Sequence, residues 1–445
     1  MIKLVERVFN LRKKKFIQDT AILQIASFFS TGLSIIGSII YARVLGVEGY
    51  AIYALIFVFV SFSSTFTDVG TGQTSLTLLS EAYTKKDKKT SLDILTYYFK
   101  VNLLVSFVIC AIVIILSPFL TAKLYGSPEI GQLARVIILA EVVKIFFGMF
   151  VVVLQVIRRI TYLAIVENLN KVLSVIIPAV LVLIGYGLKG LTFGYLAVAI
   201  FFALFSYFAY SLLVRNDSVL PSWKEIYANF FKVKVGYYFK FGFLIAIDKN
   251  LGGLYGILPI FLLGIFSLKD VAFLKIAISY AGLPSIFLAS SVSRLLAVQL
   301  PKSKSYGLST LKRDYIRSSV GSLIITAFFS IFFMILSPLL IPLIYGKEYV
   351  SVVALTYPLL VGTIFINLGV GSGPLFRTLN LMRESILINL IFLSIGGGIL
   401  YYFLKTYPIN ITVYLIACWL PLVNFTSFVY LFHRLEKKIE KEAID

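Results

Sequence analysis

Long apolar runs separated by short polar connections organise the chain from end to end. A helix needs roughly 20 apolar residues to cross a bilayer, and twelve runs reach about that length: 17–42, 50–74, 95–117, 131–155, 161–186, 190–213, 236–265, 270–297, 315–341, 351–376, 385–404 and 411–432. The longest connections, 214–235 and 298–314, leave no room for a soluble domain, so any activity resides in or between the helices. Arg12, Lys13, Lys14 and Lys15 precede a run too long for a signal-peptide core and without a small-residue cleavage site, which reads as an uncleaved first span. The predicted fold class is an all-α polytopic membrane protein with about 12 transmembrane helices.

Lysine and arginine in short loops are retained on the cytoplasmic side. The N-terminal segment, the even-numbered loops with their adjoining span ends, and the C-terminal tail hold 28 of the 41 cations. The opposite loops hold only Arg43, Lys123, Lys189, Lys269, Lys347 and Lys405. Both termini are therefore expected in the cytoplasm, with the protein in the cytoplasmic (inner) membrane. Clusters such as Lys85, Lys86, Lys88 and Lys89 read as topology signals, which removes nucleic acid as the partner implied by a net charge of +20.

Composition agrees, with 59% apolar and 14% charged residues. Cys110 and Cys418 both lie inside apolar runs, with no CxxC pair and no metal-ligand cluster, and His433 is the single histidine. No cofactor, metal or catalytic residue is expected.

An internal repeat is visible. Ser117-Pro118-Phe119-Leu120 followed by Leu124-Tyr125-Gly126 recurs at one constant offset as Ser337-Pro338-Leu339-Leu340 and Ile344-Tyr345-Gly346. At nearly the same offset Leu45-Gly46 falls on Leu263-Gly264. Six spans separate the copies, so both halves enter the membrane in the same orientation, as a parallel repeat about an axis along the membrane normal. The expected organisation is a six-helix lobe over 1–214, a cytoplasmic linker over 215–235, a second six-helix lobe over 236–432 and a cytoplasmic tail over 433–445, with a central cavity between the lobes.

The segment Tyr41-Ala42-Arg43-Val44-Leu45-Gly46-Val47-Glu48-Gly49-Tyr50-Ala51-Ile52-Tyr53-Ala54-Leu55, with Thr67-Asp68-Val69-Gly70 and Leu79-Ser80-Glu81 ahead of a lysine-rich loop, resembles O-antigen-type polysaccharide-biosynthesis flippases. That family belongs to the multidrug/oligosaccharidyl-lipid/polysaccharide exporter superfamily. The sequence departs from the usual pattern at Ser75-Leu76-Thr77, where many relatives carry an arginine.

Ionisable residues inside spans are costly against lipid and usually face a bundle interior or a water-filled path. Glu141 with Lys144 and Glu167 with Lys171 sit three and four residues apart, as self-neutralising intramembrane pairs would. Lys249 lies about 20 Å along a helix starting near Gly236, too deep to reach either surface, beside Gly252, Gly253 and Gly256. Asp248 is adjacent but about 100° away around the helix. Two readings stand for Lys249: an anion site, or an interhelical ion pair beside closely packed glycines. By the resemblance, spans 1, 2, 7 and 8 line the cavity, which makes Arg43, Asp68, Lys240, Asp248, Lys249, Lys275 and Arg294 its candidate lining, with Asn250 facing sugar hydroxyls. Asp68, Asp248 and Glu141 are the candidates for ion coupling. Gly369-Val370-Gly371-Ser372-Gly373-Pro374 lacks the strand and the Gly-Lys-Ser/Thr of a phosphate loop and predicts local unwinding instead.

The expected function is flipping of a lipid-linked oligosaccharide, carried on a polyprenyl phosphate or diphosphate, to the outer leaflet by alternating access. Its expected partners are that substrate, membrane lipids and other polysaccharide-assembly proteins. A cation-coupled multidrug exporter of the same superfamily is the alternative, and would require an acid-dominated cavity. A membrane-embedded glycosyltransferase or polymerase is a third reading, against which stand the short external loops and the lack of a clustered acid/base site.

Overall fold

The computed structural model describes residues 2–286 and 289–444, with side chains except those of 2–27, 30, 241, 289–291, 294, 298 and 441–444. Every regular element among them is helical. Helices α1 (Ile2–Thr67) and α2 (Thr71–Thr84) carry the first two apolar runs, and α3 (Lys88–Tyr125) carries the third. The fourth spans α4 (Pro128–Val143) and α5 (Ile145–Val156); α6 (Ile160–Leu181) and α7 (Gly187–Arg215) follow. After the short α8 (Trp223–Asn229), α9 (Val235–Leu263) holds the seventh run. The eighth is divided among α10 (Leu268–Ala281), α11 (Leu283–Ile286) and α12 (Ala289–Ser305). Then come α13 (Leu308–Tyr345), α14 (Val352–Ile366) with α15 (Ser372–Thr378), α16 (Met382–Thr406) and α17 (Ile409–Ile444).

Among the described residues, nine helical stretches are long and apolar enough to cross a membrane. The difference from twelve runs has local causes. Thr31–Thr67 and Ile160–Arg215 each count as one stretch, although the backbone leaves helical geometry inside them at Gly46 and Gly185. At the second break the chain folds back: a Cβ on Gly194 would lie 2.9 Å from the Cα of Pro178, and one on Gly190 would lie 3.0 Å from the Cβ of Leu181. Such contacts require α7 to run antiparallel along α6 at small-residue distance.

The repeat is written in the helix boundaries. At the offset that carries Ser117-Pro118 onto Ser337-Pro338, Lys88 and Tyr125 at the ends of α3 fall on Leu308 and Tyr345 at the ends of α13. Both helices have 38 residues, with a proline at the corresponding place. Each closes on a glycine in the left-handed region, Gly126 at φ 68° and Gly346 at φ 116°, where a side chain would be strained. Ser117 Oγ donates to the Ile114 carbonyl and Ser337 Oγ to the Met334 carbonyl, an equivalent pair of bonds. The buried face of α13 is a row of hydroxyls, Ser319, Ser322, Thr326, Ser330 and Ser337, which lets α14 approach closely where lipid offers no hydrophobic drive between helices.

Packing divides the chain into two compact units that interleave along the sequence. The first comprises Met1–Tyr41, Phe66–Ser117 and Gly131–Phe243; the second comprises Ala42–Thr65, Pro118–Ile130 and Leu244–Asp445. Within the second, N-terminal segments pack onto C-terminal helices. Phe62 stacks on Phe261 at 4.7 Å between ring centres, and Gly264 is pressed against Leu55 and Tyr125. In the first, Gly242 at the start of α9 packs so tightly on Thr74 and the Gly70 carbonyl that no Cβ would fit.

Candidate functional site

Three consecutive polar residues on α9 are turned to three surroundings, because successive side chains on a helix differ by about 100°. Asp248 faces α16, where its Oδ1 accepts from Ser385 Oγ at 2.6 Å and Asn389 Nδ2 at 3.3 Å. The network continues through Tyr255, whose hydroxyl donates to the Asn389 carbonyl at 3.2 Å and whose ring meets Trp419 edge-on. Asn250 faces the other way and donates from Nδ2 to the Thr65 carbonyl at 2.9 Å. That amide ties α9 to the end of α1, a structural duty where sequence reasoning expected a sugar contact.

Lys249 lies between them on an exposed face with Gly252, Gly253 and Gly256. A Cβ built on any of these glycines meets nothing within 4 Å. Among the described residues these glycines leave a lane of bare backbone beside a lysine, which itself has a partner.

The remaining cations have different environments. Lys275 lies half-buried on α10 and makes no hydrogen bond or ion pair among the described residues. Arg43 Nε donates to the Ile344 carbonyl at 2.7 Å and its Nη2 to the Leu343 carbonyl, so the guanidinium caps the C-terminal end of α13. Lys240 is exposed near the start of α9. The side chain of Arg294 lies outside the described residues.

Among the acids, Asp68 ends α1 and accepts from the Gly70 backbone N–H at 3.1 Å, which shapes the turn into α2. Beside that turn, Thr71 Oγ1 donates to Asn102 Oδ1. Glu141 and Lys144 form the expected pair at 2.7 Å, half exposed. Glu167 and Lys171 lie on α6, each with a partner.

Three functional candidates were not singled out in the sequence: Ser385, Asn389 and Arg377. The first two stand four apart at the polar start of α16, a spacing that marks one helix face. Arg377 lies at the end of α15 and donates to the Gly373 carbonyl at 3.3 Å. It also lines an open cavity of about 410 Å³ with Ala297, Pro301, Lys304, Pro374 and Thr378.

The family described as "Polysaccharide biosynthesis protein" matches residues 40–354. The chain belongs to that family. No curated protein matches it in sequence. Its fold is that of transporters of the multidrug/oligosaccharidyl-lipid/polysaccharide exporter superfamily. An inward-facing multidrug resistance MATE family transporter is 16% identical over 94% of this chain and 98% of its own, with a TM-score of 0.69. A MATE transporter in complex with MaL6 is 14% identical over 94% and 96%, with a TM-score of 0.66. A Pyrococcus furiosus member of the superfamily, described by a binding pocket of reverse polarity that suggests a different function, is 16% identical over 94% and 95%, with a TM-score of 0.61. At these identities the likeness is one of fold.

Proposed function

We propose that this polysaccharide-biosynthesis family member is a transporter that flips a lipid-linked oligosaccharide, borne on a polyprenyl phosphate or diphosphate, across the cytoplasmic membrane. The observation carrying this reading is the exposed face of α9, where Lys249 stands beside three glycines that no other described residue covers. A phosphate leaving water needs fixed cations, and bare backbone lets a bulky headgroup approach them. Lys275, whose ammonium has no protein partner among the described residues, is the second cation assigned to the headgroup. The six-plus-six arrangement about a central cavity, both termini in the cytoplasm, and rocking of the halves in alternating access belong to the same reading.

Transport needs no bond made or broken by the chain, and none of the acids above is arranged as a catalytic pair. Asp248 is assigned to coupling: its Oδ1 is satisfied by Ser385 and Asn389, which holds the carboxylate in place for an exchanging cation. That same acid, together with the named multidrug neighbours, favours the second reading, a cation-coupled drug exporter. The two readings separate by substrate charge. Inhibition of lipid-linked oligosaccharide flipping by polyprenyl diphosphate, with no inhibition by a lipophilic cation, supports the flippase; the reverse pattern supports the exporter.

A further inference from the structure

A groove of about 810 Å³ runs along α13 beside Ile439 of α17, and no residue of α9 lines it. Its lining follows two ridges of i,i+4 spacing. One reads Ser309, Arg313, Arg317, Gly321; the other reads Lys312, Ile316, Val320, Ile324. Cations therefore line its outer end, and apolar residues line the end that continues into the apolar run from 315 onward. Gly321 leaves the floor open, since a Cβ there meets nothing within 4 Å.

The three cations are not equivalent. Lys312 is held by Glu436 at 2.7 Å and lies 4.2 Å from the ring centre of Phe432. Arg313 has only a loose 3.8 Å approach to its neighbour Asp314, and its side chain is 75% exposed. Asp314 is itself taken up by Ser303 Oγ at 2.6 Å. Arg317 is exposed and makes no hydrogen bond or ion pair among the described residues. Two guanidiniums one helical turn apart thus point from the same face, Arg313 only loosely paired with Asp314 and Arg317 without an ion pair among the described residues.

The other copy of the repeat shows what that face ordinarily holds. On α3 the positions equivalent to Arg313 and Arg317 are Asp93 and Tyr97, and both are covered by protein. Asn229 Nδ2 donates to Asp93 Oδ1 at 2.8 Å, Tyr97 packs on Tyr238, and Val233 completes a buried cluster. Where the first half fills the face with its own linker, the second half presents arginines above an apolar floor.

We infer that this groove is a binding site for an anionic membrane phospholipid, its phosphodiester held by Arg313 and Arg317 and an acyl chain lying along Val320, Gly321 and Ile324. The charge matches the headgroup, the apolar floor matches the tail, and the order of the two along α13 matches a lipid standing in its own leaflet. Basic pockets at the membrane surface between spans select anionic headgroups for this reason. The inference is independent of the transported substrate.

The test uses full-length protein in non-ionic detergent, incubated with phosphatidylglycerol or with phosphatidylcholine of identical acyl chains, with bound lipid counted by native mass spectrometry. The wild type should retain one more phosphatidylglycerol than phosphatidylcholine, with a preference of about fivefold per arginine. The double variant Arg313→Gln/Arg317→Gln should lose that preference, Arg313→Lys/Arg317→Lys should keep most of it, and Gly321→Leu should weaken retention of both lipids by filling the floor. Equal retention of the two lipids by wild type, or an unchanged preference in the glutamine variant, overturns the proposal. Displacement of the retained phosphatidylglycerol by a polyprenyl phosphate overturns it as well, by making the occupant the substrate's carrier.

Discussion

Arg43 Nε donates to the carbonyl of Ile344 across 301 residues of sequence, at 2.7 Å. The residue following span 1 thereby closes the exposed carbonyls at the end of α13, and Tyr349 returns the contact by donating to the Ala42 carbonyl at 3.2 Å. A cation at a helix C-terminus contributes about 0.3–1 kcal/mol through the dipole, and its charged hydrogen bonds add to this. Arg43→Ala should lower the thermal midpoint of the purified protein by a few degrees, equivalent to about 1–2 kcal/mol. Arg43→Lys should recover part of it, because one ammonium cannot reproduce the forked donor geometry. An unchanged midpoint in Arg43→Ala would show the contact to be energetically idle.

Asp248 is the acid whose charge and hydrogen bonds can be separated. An amide oxygen in Asp248→Asn still accepts from Ser385 and Asn389, so folding should be preserved, whereas Asp248→Ala leaves two polar groups unpaired at about 1–3 kcal/mol. Transport by Asp248→Asn should continue but lose its response to an imposed proton or sodium gradient. Retention of that response in vesicles would remove Asp248 from coupling.

The sequence was informative where a pattern repeats and weak where contacts are made by geometry. Twelve apolar runs and the constant spacing of the Ser-Pro and Tyr-Gly pairs are one-dimensional signals, and α3 and α13 begin and end where that spacing places them. The exposed placement of Lys249 beside Gly252, Gly253 and Gly256 could be counted along one helix. Arg43 was not legible in this way, since nothing in its own segment announces that the distant carbonyls of Leu343 and Ile344 will claim it. Ser385 and Asn389 were overlooked for the converse reason: neutral polar residues near a span end look ordinary until an aspartate from α9 meets them.

The glycines divide into two classes with opposite responses to a side chain. Gly256 faces open space, so Gly256→Ala should be neutral or stabilising by roughly 0.5–1 kcal/mol from helix propensity, while Gly256→Leu should block transport without harming the fold. Gly362 is pressed on the Ala417 backbone, and even Gly362→Ala should destabilise by about 1–3 kcal/mol through overpacking. Thermal unfolding beside a transport assay separates the classes; normal flux in Gly256→Leu would mean that the open face is not on the substrate path.

Outside the membrane-spanning segments, Glu225 provides a pH signature. Its hydrogen bond from Lys88 at 2.6 Å, followed by that from the Ser222 backbone, pulls the carboxyl from 4.5 to about 2. A depressed value of this kind contributes stability that is complete above about 4.5 and is lost as the pH falls towards 2. Glu225→Gln should therefore flatten the thermal midpoint over that interval and leave it unchanged in shape at neutral pH. The same acid slope in variant and wild type would exclude Glu225 as its source.

Most direct of all is flipping of a labelled lipid-linked oligosaccharide in vesicles reconstituted with purified protein and normalised to folded protein. Wild type should translocate it. Lys249→Ala and Lys275→Ala should each bind it roughly ten- to a hundredfold more weakly, as expected for losing a charge-assisted contact of about 1.5–3 kcal/mol, with Lys249→Glu worse still and Lys405→Ala near normal. Normal flux by Lys249→Ala, or a wild type that exports a lipophilic cation and leaves the lipid-linked oligosaccharide in place, would contradict the account.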